Sequence, residues 1–184
     1  MVSRWLHPMD CMTKKNKDMK KETKENLELL FKDLCGRLPY NVICRKKWIA
    51  PMTKSPEQTN QALSPRDLEA MQSLIEHGLA YVNLSDGGEI FLDKYELKPY
   101  LRPLSDMTAE EFAYIKQRWV FTEKCRDEND IMDVVNRGCV EVCDAYSFVE
   151  WLNANHFDYR GLIKIRLAFK ATKGMYDTKQ ENNE

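Results

Sequence analysis

The run WLNANHFDYRGLI, residues 151–163, gathers His156, Asp158, Tyr159 and Arg160 into the densest polar-aromatic stretch of the chain. An imidazole two residues from a carboxylate is the pairing that acid–base catalysis or a metal site uses, and a guanidinium beside it can hold an anion. His156, Asp158 and Arg160 are therefore the candidates for chemistry. The pattern lacks a Cys or Ser nucleophile in a recognisable context and a second carboxylate cluster. The same atoms also suit a corner of the fold, and that reading is preferred. In it, Asn155 or His156 ends a helix because Asn tolerates the left-handed conformation, and Phe157 is a buried wedge. Asp158 then caps a short helix, YRGLI, by accepting from its first free amides. Arg160 pairs with Asp158 or Glu150, and Leu162 and Ile163 return to the core.

The other reactive side chains are cysteines: Cys11, Cys35, Cys44, Cys125, Cys139 and Cys143. No Cys-x-x-Cys pair occurs, and His7, His77 and His156 are scattered, so no zinc site and no cofactor is expected. Cys139 and Cys143 would share one face of a strand, too far apart along it to bond to each other. The opening MVSRWLHPMDCM has no continuous apolar core and does not read as an export signal. Reduced, mostly buried thiols in a cytoplasmic protein are the expectation.

Composition excludes several classes of function. The 28 basic and 29 acidic residues leave a net charge of −1, so global charge gives no argument for nucleic acid or an anionic membrane. No apolar run approaches the roughly 18 residues of a membrane span. A length of 184 residues suits one domain with loose ends. Residues 1–24 read as a Lys-rich tail: MTKKNKDMKKETKE has no core former except Met, and Met12 is an alternative start. Its Lys14, Lys15, Lys17, Lys20 and Lys21, with Arg45, Lys46 and Lys47, are the candidate contacts for nucleic acid. Residues 178–184 read as a second disordered tail.

The elements that must position these groups follow from periodicity and punctuation. Leu27, Leu30, Phe31, Leu34 and Leu38 define one helical face, with Gly36 as its stop. Val42, Cys44 and Trp48 suit a strand, and PMTKSPEQTNQA, with two prolines, suits a loop. Ser64, Pro65 and Asp67 open a second helix, whose face is Leu68, Met71, Leu74 and Ile75 and whose stop is Gly78. Residues 81–84 and 90–92 form a hairpin around Asp86-Gly87-Gly88. KPYLRPLSDMT is an extended connector, and its Tyr100 and Arg102 are candidate binding residues, although Tyr100 and Leu101 packing inward is preferred. Thr108 and Glu111 open a third helix facing inward through Phe112, Ile115 and Trp119. A short helix over 131–135, a strand CVEVC, and a last helix capped by Asp144 complete the chain. Phe148, Trp151, Leu152 and Asn155 line that helix's inner face.

The segments LFKDLCGRLPYNV, ELKPYLRPLSDMT and VEWLNANHFDYRGLI, in this order, resemble an uncharacterised family of small proteins from gut bacteria and their phages or prophages. AFKATKGMYD is similar to the family's C-terminal segment, and the likeness spans residues 27–177, weakest in the middle. Asn41 and Arg166 stand where the family pattern has glycine, which puts the backbone of those two turns in question. The resemblance implies a phage-linked accessory role and brings no catalytic residues with it. The expectation is an α+β domain over residues 25–177, a small, mainly antiparallel sheet packed by four to five helices. Its function is to bind a host or phage macromolecule, with a protein as the expected partner and no membrane. The alternatives are nucleic-acid binding through the Lys-rich arm and an enzyme centred on His156 and Asp158.

Overall fold

The computed structural model of the protein describes residues 21–49, 56–83, 89–119 and 145–176. The elements in chain order are α1 (Lys21–Arg37), β1 (Ile43–Ile49), β2 (Pro56–Ala62), α2 (Pro65–His77), β3 (Ala80–Asn83), β4 (Glu89–Leu101), α3 (Ala109–Arg118), α4 (Ala145–Ala154) and β5 (Phe169–Lys170). The fold is α+β. Its sheet runs β2-β1-β4-β3, antiparallel throughout, with β5 added in parallel to the end of β4.

The helix starts were legible in the sequence. Ser64 and Asp67 form the capping box of α2, Pro65 occupies its first turn, and Gly78 ends it at φ 73. Thr108 and Glu111 form the box of α3. The α1 face buries Leu30 and Leu34 in one cluster with Cys44, Leu97 and Leu101 of the sheet and Val42 just before β1. Gly36 does not stop this helix. The chain runs on to Arg37, tightens into a 3₁₀ turn over Leu38–Tyr40, and reverses at Asn41 with φ 54. Gly36 serves close approach instead, because a Cβ there would lie 3.0 Å from Nδ2 of Asn153 on α4. Lys21–Lys24, assigned to the tail by composition, are helical.

Two strands differ from expectation. PEQTNQA is strand β2, not loop, and pairs with β1 along its whole length, from Ile43 opposite Ala62 to Ile49 opposite Pro56. It is an edge strand exposed on nearly every residue, so it shows no apolar alternation, and Pro56 sits at its start where a missing N–H does no harm. The strand expected over residues 90–92 runs on to Leu101 as β4 and takes in the first four residues of the expected connector KPYLRPLSDMT. That strand pairs with β3 over residues 89–92 and with β1 over residues 93–99. The switch of partner falls at a bulge, where β4 carries one more residue than β1 between the Lys47 and Ile49 pairs and Lys94 has φ 52.

A second cluster of buried residues lies beside the first. Leu104, Ile115, Trp119, Phe148, Leu152, Phe157 and Tyr159 join α3, α4 and the turn after α4. Trp119 closes it by donating its indole N–H to the Ser147 hydroxyl at 3.1 Å. The expected Asp86-Gly87-Gly88 turn, the 131–135 helix, CVEVC and the Asp144 cap all lie outside the described residues.

Candidate functional site

The chain turns sharply at the end of α4. His156 takes the left-handed conformation, φ 58, and its amide donates to the Asn153 carbonyl at 3.1 Å. The Phe157 amide reaches back to the Leu152 carbonyl at 2.9 Å, so the last carbonyls of the helix are satisfied. Asn155 donates its side-chain amide to the Trp151 carbonyl at 2.9 Å. Phe157 is fully buried, stacked on Trp151 with ring centres 5.7 Å apart. The Arg102 guanidinium covers the Phe157 ring at 4.3 Å. The end of β4 locks onto this turn through its backbone: Arg102 N–H donates to the His156 carbonyl at 2.8 Å, and Asp158 N–H donates to the Arg102 carbonyl at 2.7 Å.

Asp158 and Arg160 are committed to partners here, and His156 is buried. Asp158 accepts from the amides of Leu162 and Ile163 at 2.7 and 2.9 Å, one on each oxygen. It is a cap, as expected, but what it caps is a series of turns and not a helix. Burial raises its carboxyl pKa, opposed by these two amides and by Arg37. His156 is buried and lies flat on the Tyr176 ring, with centroids 3.7 Å apart, and its Nδ1 has no hydrogen-bond partner. Burial, then Arg37 and Arg102, lowers its pKa to about 4, so the imidazole is neutral near pH 7. Arg160 pairs with neither Asp158 nor Glu150. Its Nε lies 3.2 Å from Asp33 on α1.

Asp33 and Arg37 are the residues that the sequence reading missed. Both are fully buried, and Arg37 grips Asp33 with Nε at 2.6 Å and Nη2 at 3.2 Å. Nη2 also donates to the Phe157 carbonyl at 2.7 Å, which ties α1 to the corner. Their signal was present: positions 30, 33, 34 and 37 fall on one helical stripe, so a charged pair sits inside an apolar face. Tyr176 adds the last tie, donating its hydroxyl to the Tyr100 carbonyl at 2.6 Å and accepting from the Ile43 amide at 3.1 Å.

A cleft of about 850 Å³ opens beside the corner, lined by Arg102, Asp106, Glu111, Lys170, Lys173 and Tyr176 among others, but not by His156 or Asp158. Its charges are largely matched already. Arg102 makes a two-pronged pair with Glu111 at 2.8 and 2.9 Å, and Lys170 meets Asp106 at 3.0 Å. Arg102, nominated for binding, thus holds the cap of α3 and the Phe157 ring. Among the described residues no group of three or more His, Cys, Asp or Glu is placed to hold a metal ion. Of the cysteines, Cys35 is exposed and Cys44 is buried, its thiol pushed up to about 12 by burial. The other four lie outside the described residues.

The proposed basic triplet is divided by the alternation of β1. Lys46 points into the core, where its Nζ lies 2.7 Å from Asp67 and 3.1 Å from the Ala62 carbonyl. Asp67 therefore serves both the cap of α2 and this lysine. Arg45 and Lys47 face the other way. On that outer face Arg45 stands opposite Asn60 and Lys98, and Lys47 opposite Gln58 and Glu96. The Arg45 guanidinium lies 3.8 Å above the Phe169 ring, whose centroid is 5.5 Å from that of Tyr100. Tyr100 thus faces outward, half-buried, while Leu101 packs inward. Lys14, Lys15, Lys17 and Lys20 lie outside the described residues, and Lys21 opens α1. Comparison of the sequence with known protein families, with curated proteins and with solved structures found no match.

Proposed function

We propose that this chain is a cytoplasmic, phage- or prophage-linked accessory protein that acts by binding a host or phage macromolecule without transforming it. The observation that supports this reading is the occupation of the corner. Both oxygens of Asp158 are taken by backbone amides, and His156 is neutral and stacked under Tyr176. A general base needs an accessible lone pair and a pKa near the working pH, and a metal site needs converging ligands. The His156–Asp158–Arg160 cluster is arranged to fix the exit of α4 against α1 and β4. The resemblance to small proteins of gut bacteria and their phages agrees with an accessory role.

The test has two arms. Alanine replacement at His156 and at Asp158 is expected to lower the melting temperature while leaving capture of the partner unchanged at a temperature where both variants stay folded. A pull-down from the native host, with nucleic acid digested in a parallel sample, then separates a protein partner from a polynucleotide. Variants that melt like the parent but lose a measurable turnover would restore the enzyme reading.

A further inference from the structure

We infer that the outer face of the sheet is a docking surface for single-stranded RNA, a reading that rests on the binding role proposed above and gives its ligand a chemistry. The face is assembled from four strands by register. Cross-strand partners of an antiparallel pair lie on the same side, so Gln58 and Asn60 of β2, Arg45 and Lys47 of β1, and Glu96 and Lys98 of β4 form one surface. Tyr100 follows Lys98 on the same side by the two-residue period, and Phe169 of β5 stands beside it by pairing. The contacts confirm the placement: Tyr100 Oη donates to Asn60 Oδ1 at 3.4 Å across β1, and Lys98 Nζ lies 5.7 Å from the Phe169 ring centre.

Three features of this surface suit a single strand. The first is charge. Arg45, Lys47 and Lys98 surround one carboxylate, Glu96, which is 2.9 Å from Lys98 and 3.7 Å from Arg45. An excess of cations remains on a face where Lys47 is exposed and the Arg45 and Lys98 side chains keep 28% and 25% exposure. The chain as a whole is nearly neutral, so this excess is local.

The second feature is stacking area. Tyr100, Phe169 and the Arg45 guanidinium form a contiguous cluster of planar groups, the two half-buried rings tilted 36° to each other, and unpaired bases stack on aromatic rings and on guanidinium planes alike. The third is polarity at the margin. Gln58 and Asn60 are exposed amides beside this cluster, able to donate to and accept from a ribose 2′-hydroxyl. A duplex hides its base faces and offers the rings nothing to stack on. An acidic protein would satisfy the cations but leave the planar cluster unused. Among the described residues, α1 and α2 pack on the opposite side of the sheet, in the cluster with Val42, Cys44, Leu97 and Leu101.

Fluorescence anisotropy of a labelled 12-residue oligouridylate against the full chain tests this. Three phosphate contacts on a single strand give a log–log salt slope of about −2, so affinity should fall roughly fifteen- to twentyfold between 50 and 200 mM salt. Arg45→Glu with Lys47→Glu should weaken binding at least tenfold and flatten that slope. Lys47→Glu alone, at an exposed position, serves if the double variant does not fold. Phe169→Leu should weaken binding about tenfold with the slope retained. Absence of binding at 50 mM salt would overturn the proposal, as would full affinity in the folded charge-reversed variants, which would place the contact elsewhere. Equal affinity for a duplex or for oligodeoxythymidylate would also overturn it. Failure here together with capture of a nuclease-resistant protein partner would leave the binding role standing with a different ligand.

Discussion

Arg37 and Arg45 each lie against an aromatic ring, 5.4 Å from the centre of Tyr159 and 3.8 Å from that of Phe169. Arg37 is fully buried and spends its Nε and Nη2 donors on Asp33 and the Phe157 carbonyl. Arg45 keeps 28% of its side chain exposed, and its carboxylate neighbour, at 3.7 Å, is shared with Lys98. The corner and the sheet face are thus built from the same residue types, arginine, aromatic ring and carboxylate. At the centre of the corner Asp33 and Arg37 are fully buried and paired, so they hold the fold. On the sheet face the Arg45 and Lys98 side chains keep 28% and 25% exposure, Lys47 is exposed and both rings are half-buried, so the groups can meet something outside the molecule. Burial, not residue type, separates the two roles.

That contrast is open to measurement, and the largest effect belongs to the corner. Phe157→Ala should destabilise the protein by about 3–5 kcal/mol in chemical denaturation, because the ring is fully enclosed between Trp151 and Arg102. A loss below about 1 kcal/mol would mean that the corner is not a rigid joint.

The next effect is a pH dependence. The folded state lowers the His156 pKa to about 4, chiefly by burial and then through the charges of Arg37 and Arg102. An unfolded chain takes up that proton near the ordinary value of about 6.5, so between these values it binds more protons than the fold does. The stability that the neutral imidazole contributes is therefore complete above pH ~6.5 and is lost as pH falls toward 4, by up to about 3 kcal/mol. Asp158 is raised by burial above the ordinary carboxylate value and acts in the opposite sense. The His156 window opens as pH falls below its ordinary value of about 6.5. In that window His156→Asn, which tolerates the left-handed backbone, should flatten the slope of melting temperature against pH; an unchanged slope would assign the titration to another group.

Asp158→Ala frees two buried amides and should cost about 1–3 kcal/mol, read from the same denaturation curves. The smallest effect sharpens the other side of the comparison. Lys47→Ala should change stability by no more than about 0.5 kcal/mol, since this side chain is exposed on the outer face. A larger loss would mean that this face is itself part of the scaffold.

What was legible in the sequence follows the same physical division. Caps are local chemistry, so Ser64, Asp67, Thr108 and Glu111 announced their helices. The turn at His156, the Phe157 wedge and the Asp158 cap were readable for the same reason, and so was the apolar face of α1. Strand β2 was not, because an edge strand exposed on both faces carries no periodic signal and owes its form to pairing with β1. Lys46 read as one of three basic neighbours. Only the register of β1, with Val42 and Cys44 buried, shows that the alternation turns it inward to Asp67. Arg160 was assigned a partner close in sequence, while its actual partner, Asp33, comes from the far end of the chain. The turns at Asn41 and Arg166 both adopt positive φ, 54 and 63. Side chains other than glycine are strained there, Asn least.

Tyr176 fastens three separate parts of the molecule at once: the start of β1 through Ile43, the end of β4 through Tyr100, and the corner through His156. During synthesis the chain emerges from its N-terminus at a few to about twenty residues per second. Strands β1 and β4 can therefore meet long before this clasp is made. Until residue 176 is free of the ribosome, the Ile43 amide and the Tyr100 carbonyl lack this partner and the His156 ring lacks its cover. Locking of this joint thus waits for residue 176, and a nascent chain halted just short of that tyrosine would lack the clasp that joins Ile43, Tyr100 and His156.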